Sequence, residues 1–139
     1  MQTFLPYPSF EQSAKVLDRQ RLGKQRVEVL QILRSLAGET RGWSNHPAVK
    51  MWRGHERVLI EYGLAICDEW IRRGYKDTCR EKIGALLAKF PPCSAPTWLG
   101  NVEFHTAHQS NLLRKDEGYY RPIFGEALSA ELEYVWPVE

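Results

Sequence analysis

Between Glu56 and Arg73, the residues Val58, Leu59, Tyr62, Ala65, Ile66 and Trp70 recur at spacings of three and four. At that period side chains line up on one face of an α-helix. Gly74 follows directly, and glycine readily takes the left-handed conformation that ends a helix. No run alternates apolar and polar residues long enough to read as a half-buried strand. Such a chain must pack helix against helix, and 139 residues suit one domain. The expected class is all-α: a single compact helical domain with an extended N-terminal arm and an irregular aromatic C-terminal tail.

Pro6 and Pro8 keep residues 1–8 extended, because each disfavours helix in the residue before it. Ser9, with Gln12 three positions on, suits the start of a helix from about Phe10 to Arg19. A kink near Gly23 is expected before a second helix that ends at Ala37, with Gly38 as its C-cap. Arg26 projects toward the apolar side of that helix, which requires a paired guanidinium or a later start. Pro47 suits the first turn of a short helix capped by Asn45. Thr78 and Glu81 form a capping box for a helix over Thr78–Phe90. The prolines in residues 90–96 break the chain, and a further helix covers Glu103 or His105 to Arg114. Asp116 to Glu139 reads as irregular, pinned to the body by Tyr119, Tyr120, Phe124 and Trp136.

The net charge of +2 announces no global field, but Lys15, Arg19, Arg21, Lys24, Arg26 and Arg34 crowd one segment against Asp18 and Glu28. Cys67, Cys79 and Cys93 are odd in number and lack a CxxC pair, which suits reduced thiols and a cytoplasmic location. No apolar run approaches about 18 residues, so no membrane span is expected. The first residues, with no charged or hydrophobic leader region, do not read as a signal peptide.

Within the basic segment, Arg21, Lys24, Glu28, Gln31 and Ser35 share a helix face. A single carboxylate thus sits in a cationic and amide-lined strip. Spacing alone favours a solvated face with a Lys24/Glu28 pair. His105-x-x-His108 shares a helix face, but zinc needs further ligands and none is near in sequence. Hydrogen bonding is the better reading of the four histidines. There is no phosphate loop and no GxSxG elbow. Cys67 reads as a buried small hydrophobe. Arg114, Lys115, Tyr119, Tyr120 and Arg121 interleave cations with aromatics, a mixture that can hold phosphates and stack bases, or simply pack the tail.

Leu17-Asp18-Arg19-Gln20-x-Leu22, followed by Glu28, resembles the motif helix of the pyrimidine-dimer DNA glycosylases, the phage endonuclease V type and its bacterial relatives. Thr40-x-Gly42-x-x-Asn45-His46-Pro47 is similar to their Asn-His-Pro loop, and Glu69–Tyr75 resembles the end of their long helix. The resemblance covers roughly residues 1–76. It implies a base-excision glycosylase, with possible abasic-site lyase activity, acting on pyrimidine dimers or another modified pyrimidine in double-stranded DNA. It further implies Glu28 as catalytic carboxylate and the chain's own terminal amine as nucleophile. Gln2 is bulky, so Met1 is retained and its amine is the candidate, with Lys24 as a rival. An α-amine has a pKa near 8 and keeps a usable neutral fraction at pH 7. Arg19, Gln20, Arg21, Asn45 and His46 would line the DNA side. Val27 and Gln31 stand where the phage enzyme carries arginines that contact DNA, which bears on substrate preference. No metal or cofactor is expected, and the protein is expected to be a monomer. Two other readings remain: a non-catalytic reader of damaged DNA on the same fold, and a metal-dependent hydrolase built on His105 and His108.

Overall fold

The computed structural model describes residues 1–42 and 44–137. Among these, all regular structure is helical: α1 (Phe10–Val16), α2 (Arg19–Leu36), α3 (Pro47–Lys50), α4 (Glu56–Arg72), α5 (Cys79–Ala85), a 3-10 turn over Leu86–Lys89, α6 (Val102–Lys115) and α7 (Glu117–Phe124). Among the described residues no helix is long and apolar enough to cross a membrane.

The core forms where α2 crosses α4, the most extensive packing in the molecule. Val29, Ile32 and Leu33 of α2 meet Leu59, Tyr62 and Ile66 of α4, all fully buried. Burying each such side chain contributes about 1.5–3 kcal/mol. The close approach requires Gly63: a Cβ there would lie 2.7 Å from Val29 Cγ1. Arg73, one residue past α4, donates to Glu69 and to the carbonyls of Ala14, Lys15 and Leu17, so it also caps the end of α1.

Several boundaries differ from the sequence reading. The first break falls at Leu17–Asp18, not at Gly23, and α1 stops at Val16. Asp18 caps α2 by accepting from Arg21 N–H, and it also accepts from the hydroxyl of Tyr120, 102 residues away. Gly23 lies inside the helix, where a Cβ would meet Trp70 at 2.9 Å. That Trp70 ring also explains Arg26, whose guanidinium stacks on it at 4.4 Å and pairs with Asp77. The cap of α3 is His46, through Nδ1 and Ala48 N–H at 3.0 Å, and not Asn45. Asp77, not Thr78, receives the first amides of α5, from Cys79 and Arg80. The helix over Cys79–Ala85 tightens into the 3-10 turn before Phe90.

The tail also departs from expectation. Residues 117–124 form α7 despite Pro122, capped by Asp116. Beyond it the chain is irregular but held by two arginines. Arg121 donates to the carbonyls of Gly125, Glu126 and Leu128, and Arg114 to those of Ala130 and Leu132. Tyr120, Phe124 and Trp136 pack on the body as expected, while Tyr119 is exposed.

Candidate active site

The N-terminal arm is threaded through the molecule as an extended strap. With no sheet among the described residues to pair with, many of its backbone groups are met by side chains distant in sequence. Gln2 N–H donates to Glu28 Oε2 at 3.4 Å, and Gln2 O accepts from Gln25 Nε2 at 2.8 Å. Phe4 N–H donates to Gln25 Oε1 at 3.0 Å, and the Tyr62 hydroxyl sits 2.7 Å from Phe4 O. Thr3 receives Trp52 Nε1–H on its hydroxyl and the Tyr134 hydroxyl on its carbonyl. Leu5 is clamped by α6: its N–H donates to His108 Nδ1 at 2.9 Å and its carbonyl accepts from His105 Nδ1 at 2.7 Å. Pro6 O accepts from Gln109.

The strap carries Met1 into a cleft of about 330 Å³ lined by Met1, Gln2, Phe4, Gln20, Arg21, Lys24, Gln25, Glu28, His46, Lys115 and Trp136. Of the residues expected in a site, the cleft brings together Met1, Gln20, Arg21, Lys24, Glu28, His46 and Lys115. Glu28 is half-buried, and among the described residues no ion pair joins it to Lys24. Arg21 is held against the cleft wall by Asp18 at 3.2 Å. Burial alone would raise the Asp18 carboxyl, but hydrogen bonds from Tyr120 and Arg21 hold it below its ordinary value.

His46 faces the same space. Its imidazole is pushed below the usual histidine value, first by burial and then by the N-terminal ammonium, while Glu28 pulls the other way. Amine and carboxylate thus both lie close enough to act on it. With Nδ1 accepting from Ala48, the neutral ring carries its proton on Nε2. Trp136 stands edge-on to His46 at 5.9 Å and against Tyr134 at 4.5 Å.

Other expected residues lie elsewhere. Arg19, Gln31 and Asn45 are exposed and do not line the cleft. Arg114 and Arg121 each direct one guanidinium nitrogen at tail carbonyls, so both hold the tail to the body. Tyr120 is 0% exposed with its hydroxyl on Asp18, so a base cannot stack on it; the expectation for that residue is corrected. Tyr119 is exposed beside it. His105 and His108 hold Leu5, and among the described residues no group of three His, Cys, Asp or Glu is placed for a metal. Burial pushes the Cys67 thiol up to about 12, as suits an inert core cysteine.

As parts of the site, Gln25, Tyr62, Tyr134 and Trp136 escaped the sequence reading, which placed Tyr62 only on a core stripe and Trp136 only in the tail. Gln25 carried a signal: it falls on the stripe of Leu22 and Val29, a polar residue at a core position.

Residues 1–82, which hold the strap, α2, His46 and α4, match the family model described as pyrimidine dimer DNA glycosylase. Comparison with curated proteins and with solved structures gives no match.

Proposed function

Because the chain belongs to the pyrimidine dimer DNA glycosylase family, we propose that its cleft excises the damaged base through an imine formed by the Met1 amine, with Glu28 as the catalytic carboxylate. The supporting observation is the bond from Gln2 N–H to Glu28 Oε2. It sets the amine one residue from the carboxylate, inside the same cleft.

The neutral amine attacks the sugar C1′, and the electron pair of the C1′–N bond leaves with the base, which takes a proton. Loss of the amine proton and cleavage of C1′–O4′ give the ring-opened imine, with O4′ protonated. Glu28 offsets the positive charge that develops at the sugar and moves these protons. In a lyase step it would take a proton from C2′ as the 3′ phosphate departs. Lys24, Arg21 and Lys115 supply the positive charge that holds phosphates beside an extruded nucleotide. Lys24 is the rival nucleophile, since it lines the same cleft.

Borohydride trapping on an abasic-site duplex tests the reading. A covalent adduct mapped by peptide mass spectrometry to Met1 is expected. Glu28→Gln should lower turnover by about 10²–10⁴-fold and leave DNA affinity within a few-fold. One added N-terminal glycine separates the two amines. It moves the terminal nitrogen by about 3.5 Å, beyond a reactive approach, while the strap bonds from Gln2 to Pro6 persist. Trapping should then collapse; if it persists at full rate, Lys24 is the nucleophile. Tight, salt-sensitive DNA binding without adduct or base release would instead identify a non-catalytic reader of damaged DNA.

A further inference from the structure

Gln25 is 0% exposed and all its side-chain hydrogen-bonding capacity is spent at one junction. Its Nε2 donates to Gln2 O at 2.8 Å and to Glu28 Oε2 at 2.9 Å. Its Oε1 faces Phe4 N–H at 3.0 Å and the Tyr62 hydroxyl at 2.7 Å. The amide can sit only this way. Turned over, its NH2 would face the Phe4 N–H donor, and its oxygen would face a carbonyl and a carboxylate. One side chain therefore ties the strap, the glutamate and the core helix α4 together with fixed polarity.

The two oxygens of Glu28 are unequal as a result. Oε2 accepts from both Gln25 Nε2 and Gln2 N–H, whereas among the described residues no hydrogen bond reaches Oε1. We propose that Gln25 is a positioning residue that commits Oε2 of Glu28 to the strap and leaves Oε1 as the oxygen that meets the substrate and carries the proton. The proposal rests on the amine-and-glutamate reading above. It adds that the register between nucleophile and carboxylate is set by one buried amide, which touches neither DNA nor the reacting atoms. A proton arriving at Glu28 goes to Oε1, because Oε2 already faces two donors.

Two substitutions test this, one that titrates and one that does not. Gln25→Glu keeps the shape but needs a proton between three acceptors, Gln2 O, Glu28 Oε2 and the new carboxylate. Its turnover relative to wild type should therefore improve as pH falls from 8 to 5.5, starting from a loss of about 10²-fold at pH 8. Gln25→Met removes both donated hydrogen bonds and puts nothing that titrates in their place. Its turnover should fall by about 10²-fold, with a ratio to wild type that stays the same from pH 8 to 5.5. For both, KM for DNA should stay within about 3-fold, since the side chain is buried away from the duplex. A ratio flat with pH for Gln25→Glu, turnover near the wild-type level for Gln25→Met, or an effect confined to KM would overturn the proposal while leaving the adduct of the wild type intact. Absence of any wild-type adduct would remove the underlying reading and this proposal with it. Should either variant fail to fold, the wild type decides by NMR. The Gln25 side-chain amide protons should exchange far more slowly than those of the exposed Gln20, and equal exchange would refute the assignment.

Discussion

Acid should unlock the strap through His108. This residue is 0% exposed, stacked on Tyr134 at 4.7 Å and tilted against Phe104 at 4.2 Å. Its Nδ1 accepts from Leu5 N–H, so a proton added there would point at another proton. Burial first, and then neighbouring His105, depress its pKa to about 3. In the unfolded chain the value returns to about 6.5. Between those limits the unfolded state binds more protons, so stability is whole above about pH 6.5 and falls as pH drops. At 1.36 kcal/mol per unit, His108 alone should remove about 2.5 kcal/mol between pH 7 and pH 4.5. His105 acts in the same direction, because burial depresses it too and its Nε2 faces the Gly100 N–H. The carboxylates held below their ordinary values, Asp18, Glu69 and Asp77, lose their contribution only below about pH 4. Urea unfolding at half-unit steps from pH 7 to 4.5 measures the slope. His108→Asn supplies an acceptor near the Nδ1 position without a titrating group. It should be less stable at pH 7, from lost ring packing, yet show a shallower dependence on pH. Equal slopes for the two proteins, or a flat wild-type curve below pH 6.5, would refute the reasoning. Because Leu5 lies four residues from Met1, imine trapping should fail along with the clamp.

Gly63→Ala should cost about 1–3 kcal/mol, because its Cβ would lie 2.7 Å from Val29 and 3.3 Å from Ile83. Gly84→Ala, on α5 with nothing within 4 Å, should instead gain about 0.5–1 kcal/mol. Urea midpoints of the two variants measured together check the contrast, and equal shifts would refute the packing argument. DNA affinity should fall with salt with a log–log slope near about −3, from Arg21, Lys24 and Lys115 in the cleft. Lys115→Ala should reduce that slope by about 1, and an unchanged slope would place the phosphate path elsewhere.

The helices with long apolar stripes were legible, because a 3.6-residue period is a local property of the chain. The long α4 follows its stripe, and Gly74 ends it at φ +94°. What local reasoning misjudged were competitions settled at long range. Local reasoning put the break at Gly23, whereas the second helix starts at its cap Asp18. Asp18 prevailed because Tyr120 secures its carboxylate, while Gly23 is required by the approach of Trp70. Likewise Pro122 and Gly118 argued against α7, yet Asp116 caps the segment and Arg121 gathers the carbonyls beyond it.

The candidate site divides in the same way. Glu28, Lys24 and Arg21 share a helix face and could be grouped from spacing, but the route that brings Met1 to them could not. That route depends on partners at separations of 21 residues for Gln25 with Phe4, 58 for Tyr62 with Phe4, and 103 for His108 with Leu5. An extended segment inside an all-helical protein has no strand to satisfy it, so its amides and carbonyls must be met by side chains. Those side chains must project from core faces that periodicity would reserve for Leu or Val. Gln25, His105 and His108 are such misfits, and all three are buried. Read together with an arm held extended by Pro6 and Pro8, buried polar residues on helix stripes become the signature of a threaded strap. The strap in turn gives a reason for the amine to sit at a glutamate on α2.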